Sequence, residues 1–97
     1  MKFVAYFNLK EDITQTKLTE VISRRAEYKF PEGLELVAEY WTPMRTPTVI
    51  AVFEATDSTV LLANTVAWLD AFEIEKVFPV TEWQEGVKKL PKFLGRR

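Results

Sequence analysis

Glu54 is the carboxylate in this chain best placed to move a proton, because it closes an otherwise apolar run, Thr48 to Ala55 (TVIAVFEA). A carboxyl held among apolar neighbours has a raised pKa and can exchange its proton near neutrality. The same group at a wet strand end, or receiving hydrogen bonds from the next helix, does no chemistry. Arg45 stands between Pro43 and Pro47, where its planar fork could hold an anionic group, although a loop arginine is more often simply solvated. Glu35 with Glu39, and Glu73 with Glu75, recur at strand spacing and could offer oxygen ligands to a hard cation; alternating charges on a wet strand explain them equally well. The chain has neither histidine nor cysteine. That removes the commonest general base, the thiolate nucleophile, every disulfide and the two commonest transition-metal ligands. Neither a metal nor any other cofactor is expected.

A second set of candidates is aromatic. Tyr6, Asn8, Tyr40, Trp41, Glu54 and Trp68 combine ring surface with hydrogen-bonding tips, a mixture that suits a pocket for a small, partly apolar molecule. Against this stands the plainer reading that rings in strands and amphipathic helices build core or subunit interface.

These side chains need elements to hold them. Lys2 to Leu9 (KFVAYFNL) has the aromatic and β-branched content of a strand, with Phe3, Ala5, Phe7 and Leu9 on one side. Asp12 followed by Gln15 has the form of a capping box. Leu18, Val21, Ile22 and Ala26 then recur at helical spacing, so a helix is expected to end near Lys29. Pro31 and Gly33 break the chain. Leu34 to Thr42 alternates as a second strand, Leu34, Leu36, Ala38 and Tyr40 opposing Glu35, Val37, Glu39 and Trp41. A two-proline connection leads to a third strand over Thr48 to Ala55. Thr56, Asp57 and Ser58 offer caps to a helix whose apolar stripe is Leu61, Leu62, Val66 and Leu69, flanked by Val60 and Trp68. Phe72 to Val80 reads as a fourth strand, with Ile74 and Phe78 on one side and Val77 on the other. Thr81 and Gln84 form another capping box, opening a short helix that Pro91 is expected to stop after Leu90.

Strand-helix-strand twice over, joined by a hairpin, is the α+β ferredoxin-like β-α-β-β-α-β pattern, with both helices on one face of an antiparallel four-stranded sheet. One domain over residues 1–97 is expected, with the short helix and basic tail at 81–97. The helix-free face would carry Val4, Tyr6, Val37, Trp41 and Val77 among Lys2, Asn8, Glu35, Glu39, Glu73 and Glu75. Two large aromatics on such a face exceed what a monomer usually leaves in water, so a homodimer that packs two faces into a barrel is expected. In the rival arrangement the C-terminal helix folds back over the face through Trp83, Val87 and Leu90.

A net charge of −1 leaves no global field to attract nucleic acid. Lys88, Lys89, Lys92, Arg96 and Arg97 make only the tail basic, and the glycine-aromatic signature of an RNA-recognition sheet is missing from Thr48 to Ala55. Nucleic acid is therefore not an expected partner. The start of the chain alternates instead of presenting a secretion signal, and no run reaches the length of a bilayer span. A cytoplasmic protein without membrane contact is expected.

The runs Pro31-Glu32-Gly33-Leu34-Glu35-Leu36 and Phe53-Glu54-Ala55-Thr56-Asp57, the Trp41 that closes the second strand, and Trp68-x-Asp70 before Phe72-Glu73-Ile74 resemble a family of short bacterial and archaeal domains of unknown function. That family is similar in fold to the dimeric α+β barrels, so the resemblance implies a fold and a dimer, not a reaction. Many of its members follow the tryptophan with histidine and a glycine-rich connection. Here Thr42 and the Pro43 to Pro47 segment stand in that place, so any role of that histidine is lost or filled differently. The reading favoured is a homodimeric binding or sensing domain for a small molecule. The alternatives are a cofactor-independent monooxygenase- or isomerase-like enzyme in which Glu54, Tyr6 or Asn8 assists proton transfer, and a structural or protein-interaction module. One scaffold hosts all three.

Overall fold

In the computed structural model, which describes residues 1–95, the chain runs β1 (Lys2–Leu9), α1 (Gln15–Glu27), β2 (Leu34–Trp41), β3 (Val49–Ala55), α2 (Ser58–Ala67), β4 (Phe72–Val80) and α3 (Trp83–Phe93). The sheet order is β2-β3-β1-β4 with every neighbour antiparallel. This is the ferredoxin-like arrangement: β1 and β3 lie at the centre, and α1 and α2 cover one face. Phe7, Val49, Ala51, Phe53 and Ala55 of the sheet form the core with Val21 of α1 and Leu61 of α2.

Local chemistry sets the element ends. The cap of α1 is Thr14, not Asp12: its Oγ1 accepts from the Lys17 amide at 3.0 Å, and the helix begins one residue later. Asp57 caps α2 by accepting from the Thr59 amide at 2.7 Å. Gly33 turns the chain into β2 at φ 94°, a backbone state that L side chains rarely adopt. A Cβ there would also lie 2.7 Å from Thr56 Oγ1. Gly33→Ala is accordingly expected to cost about 1–2 kcal/mol, read as a lower urea midpoint at an unchanged m value.

Two β-bulges alter which side chains face which way. In β2 the register slips between Leu36 and Ala38, so that Val37 has no partner of its own on β3. A single extra residue sends every later side chain to the opposite face. Leu34 and Leu36 point toward the helices as expected, but beyond the slip Glu39 and Trp41 do so, opposite Ala51 and Val49. Ala38 and Tyr40 move to the free face. In β4 the slip against Tyr6 and Phe7 makes Glu75 the extra residue. Val77 consequently sits opposite Ala5 on the helix side, while Phe78 joins Val4 on the free face. There its ring meets Tyr6 edge-on at 5.6 Å. The free face thus carries Val4, Tyr6, Ala38, Tyr40, Ile50, Val52, Phe78 and Val80 among Lys2, Asn8, Glu35, Glu54, Glu73 and Lys76; Trp41, Glu39 and Val77 do not belong to it.

The stripe that α2 buries is Leu61, Asn64 and Trp68 rather than the expected Leu61, Leu62, Val66 and Leu69. Trp68 has the largest apolar surface on this segment, and turning it inward rotates Leu62, Val66 and Leu69 into solvent. The last helix also departs from expectation. Pro91 lies inside α3, whose cap Glu82 makes no side-chain capping bond, and the Thr81–Gln84 box does not form. Nor does α3 fold back on the sheet: Trp83 is 70% exposed, and Val87 and Leu90 are exposed as well. It projects as an arm. The molecule measures 60 × 28 × 17 Å with a radius of gyration of 16.1 Å, where a compact chain of this length has about 12.5 Å. No helix among the described residues is long and apolar enough to cross a membrane.

Candidate functional site

Between the sheet and the two helices lies a cavity of about 40 Å³, walled by Phe7, Phe30, Phe53, Trp41, Trp68 and Phe72, with Val49 and Ala51 beneath. Roughly 10–15 Å³ suffices for one water on this scale, so the space admits something larger than a single water. The rings are held edge to face, Trp41 on Phe72 at 6.1 Å and Trp68 on Phe72 at 6.2 Å.

Two polar groups interrupt the apolar wall. At the rim, Arg25 from the last turn of α1 grips Glu39 of β2: Nε donates to both carboxylate oxygens at 3.0 Å, and Nη2 to Oε1 at 2.6 Å. Trp41 Nε1 donates to Glu39 Oε2 at 2.7 Å, which latches the indole over the opening. Burial by itself would raise the Glu39 carboxyl, but the hydrogen bonds from Arg25 and Trp41 outweigh it and hold the group below its ordinary value. The rim is therefore an internally neutralised pair, not an anion or cation receptor. Deeper, the buried Asn64 accepts from the Tyr28 hydroxyl at 3.0 Å, so its amide nitrogen is the donor this wall can offer. Desolvation pushes the Tyr28 phenol up, away from ionisation at neutral pH.

Trp68 is fixed from behind. The Arg24 guanidinium lies 4.4 Å over its ring. Asp70 in turn accepts from Arg24 Nη2 at 2.9 Å and Nη1 at 3.1 Å, and from Lys17 Nζ at 2.9 Å. Those cations hold the Asp70 carboxyl well below the usual carboxylate range. The Trp68-x-Asp70 pattern thus ties α1 to the turn before β4.

Of the residues singled out in the sequence, the cavity gathers Trp41 and Trp68, with Glu39 of the carboxylate pairs at its rim. Tyr6, Tyr40 and Asn8 are on the other side of the sheet, and the Asn8 Oδ1 there is buried without a hydrogen-bond partner among the described residues. Glu54 is on that side too, at the end of β3. The Met1 ammonium approaches its Oε1 to 2.8 Å and lowers its pKa. That is the reverse of the shift an acid or base role requires. Arg45 donates to the Lys10 carbonyl at 3.0 Å, joining the β2–β3 and β1–α1 loops, and does not line the cavity.

A family model matches residues 1–94. The chain belongs to that family, a domain of unknown function (DUF3303). A comparison with curated proteins found no match, and one with solved structures found none either. The stretch matched by DUF3303 contains every residue of the cavity and the whole of α3.

The carboxylate pairs come apart in this fold. The β2 bulge puts Glu35 and Glu39 on opposite faces, and Glu75 is the extra residue of β4. Among the described residues no three acidic side chains converge as a metal site would need. Lys88, Lys89 and Lys92 lie on or beside the exposed turns of α3, while Arg96 and Arg97 lie outside the described residues. Sequence reasoning passed over Arg25, Tyr28, Phe72 and Asn64. Only Asn64 left a signal, as one of two polar residues, with Thr65, inside the apolar run Val60 to Trp68.

Proposed function

We propose that this DUF3303 chain is a homodimeric binding domain for a small, uncharged, planar molecule, and that it holds its ligand without transforming it. The observation that carries the reading is a cavity walled by six aromatic rings whose single ion pair is satisfied from within. Flat apolar surface fits a ring system, and the Asn64 amide nitrogen would donate to one polar substituent. A charged ligand gains little here, because Arg25 is already spent on Glu39. An enzyme reading loses support at Glu54, which stands outside the cavity with a lowered pKa. The dimer is supported by eight apolar side chains on the free face, a surface of the kind usually shielded by a partner.

The test is thermal unfolding with indole and phenol against benzoate. At a ligand concentration about ten times Kd, a neutral binder stabilises by about 1.4 kcal/mol, or about 5–10 °C in a domain this small. Indole or phenol is expected to raise Tm and benzoate to leave it unchanged, and Trp41→Ala is expected to remove the shift. No shift with any neutral ring compound, or an equal shift in Trp41→Ala, would count against the reading.

A further inference from the structure

The hydrogen bonds around the cavity all run in one direction. Asn64 lies on the inward stripe of α2, one turn from Leu61 and one from Trp68, and is only 3% exposed. Its Oδ1 accepts from the Tyr28 hydroxyl at 3.0 Å, whereas its Nδ2 has no hydrogen-bond partner among the described residues. That nitrogen is not sealed off, because the side-chain atoms buried without a partner among the described residues are Asn8 Oδ1 and Arg24 Nε. Since Asn64 lines the cavity, the little exposure it keeps turns the Nδ2 hydrogens to the cavity space. Tyr28 and Trp68 fix which end of the amide faces inward. Their rings meet edge-on at 5.1 Å. Desolvation raises the Tyr28 phenol, and the Trp68 indole N–H opposes this by acting on the hydroxyl as a donor. An indole N–H can only donate, so the phenol proton is the one that goes to Asn64 Oδ1. A turned amide would leave that proton with no acceptor among the described residues.

The other acceptor in the wall is already taken. Glu39 Oε1 receives Arg25 Nε and Nη2, and Oε2 receives Arg25 Nε and Trp41 Nε1, which fills the roughly four lone-pair sites of a carboxylate. The remaining lining side chains are aromatic rings, Val49 and Ala51, apart from Arg25 itself, which has only donors. A ligand group that donates therefore finds no free side-chain acceptor inside. One that accepts relieves the cost of a buried amide left half unpaired.

We infer that Asn64 determines the specificity of the cavity, and that its ligand is a neutral planar ring compound bearing a hydrogen-bond acceptor, such as an aryl carbonyl oxygen or a pyridine-type nitrogen, at the edge that meets Nδ2. This rests on the small-molecule reading in the proposed function and narrows it. The rings supply contact area to any flat compound, and the Asn64 donor chooses among such compounds. Tyr28 does not line the cavity. It is a positioning residue, whose hydroxyl holds the amide with its nitrogen inward.

Benzonitrile and phenylacetylene test this, because they share one shape and differ only in a terminal nitrogen acceptor against a C–H. Calorimetric titration of the full chain is expected to give benzonitrile a Kd at least about tenfold below that of phenylacetylene. In isotope-labelled protein the Asn64 side-chain amide protons are expected to move farther downfield with benzonitrile than with phenylacetylene. In Asn64→Leu the two compounds are expected to bind within about twofold of each other, and in Tyr28→Phe, where the amide is free to turn, the preference is expected to narrow to about threefold. Equal Kd values in the wild type, or an advantage for benzonitrile that survives in Asn64→Leu, overturn the acceptor inference and leave the cavity standing as a site for rings. A preference for phenylacetylene also overturns it, since the amide oxygen would then face inward. Should Asn64→Leu fail to fold, the wild-type amide protons decide, and equal movement with both compounds overturns the inference. If neither compound binds at about 1 mM, this inference and the small-molecule reading fall together.

Discussion

Trp68→Ala is expected to cost about 3–5 kcal/mol, the range for removing a large aromatic from a core, and to lower Tm by about 12 °C or more. The ring is only 6% exposed and is packed on every side: Tyr28 and Phe72 meet it edge-on, and Arg24 covers one face. Removing it leaves a void that the sheet cannot close. It also removes the surface on which the Arg24–Asp70–Lys17 network rests, so α1 loses part of its attachment. Trp41→Ala should behave differently. That indole is 41% exposed and its hydrogen bond goes to a carboxylate already held by Arg25, so a loss of about 1 kcal/mol is expected. Its effect belongs in ligand binding. Urea unfolding of the two variants, set beside the indole titration, separates core from pocket wall. Equal losses of stability in both would erase the distinction and with it the view of Trp41 as a cover over the pocket.

The difference between these two tryptophans also shows which parts of the structure the sequence could disclose. Strand and helix order follows from periodicity and from turn residues, which act locally: Pro31 with Gly33, the two prolines around Arg45, and Asp57 ahead of α2. Facing is a different kind of information. It depends on register, and a bulge is decided by how two strands settle against each other, which β2 alone does not encode. Alternation carried through Val37 therefore put Trp41 and Glu39 outside and Tyr40 inside, each on the wrong face. Phe78 and Val77 changed places for the same reason at Glu75.

Helix rotation escaped in a similar way. Leu62, Val66 and Leu69 have as good a claim to burial by type as Leu61, and only competition with the Trp68 ring for the space over Phe72 and Phe53 decides against them. The pocket was half legible because its walls are rings, conspicuous in any sequence. Its polar fittings were not. Arg25 reads as one of several charges on a helix, and Glu39 reads as half of a wet carboxylate pair, until the bulge turns that carboxylate toward α1.

Glu39→Gln is therefore the substitution that probes the bulge most directly, and about 2 kcal/mol of destabilisation is expected. Breaking a buried ion pair costs about 3–5 kcal/mol; the side chains here are 27% and 15% exposed, and the amide oxygen of glutamine still accepts one bond, so a smaller loss follows. Had Glu39 stayed on the free face, where alternation alone would put it, the change would cost almost nothing. The pH dependence carries the sign. In the folded protein the Glu39 carboxyl is depressed below its ordinary 4.5, so the unfolded chain takes up the proton first as acid is added. The stabilisation is fully present above about pH 5 and drains away as pH falls through 4.5 toward the lower folded pKa. Asp70, whose carboxyl is depressed by Arg24 and Lys17, adds to the same slope, though screening at its exposed position blunts its share. Wild-type stability should thus be level from neutrality to about pH 5 and fall below it, and Glu39→Gln should start lower and fall less steeply. In a double-mutant cycle with Arg25→Met, a coupling near zero would mean that the two charges only neighbour one another, and the rim of the cavity would then not be the neutralised pair the ligand reading uses.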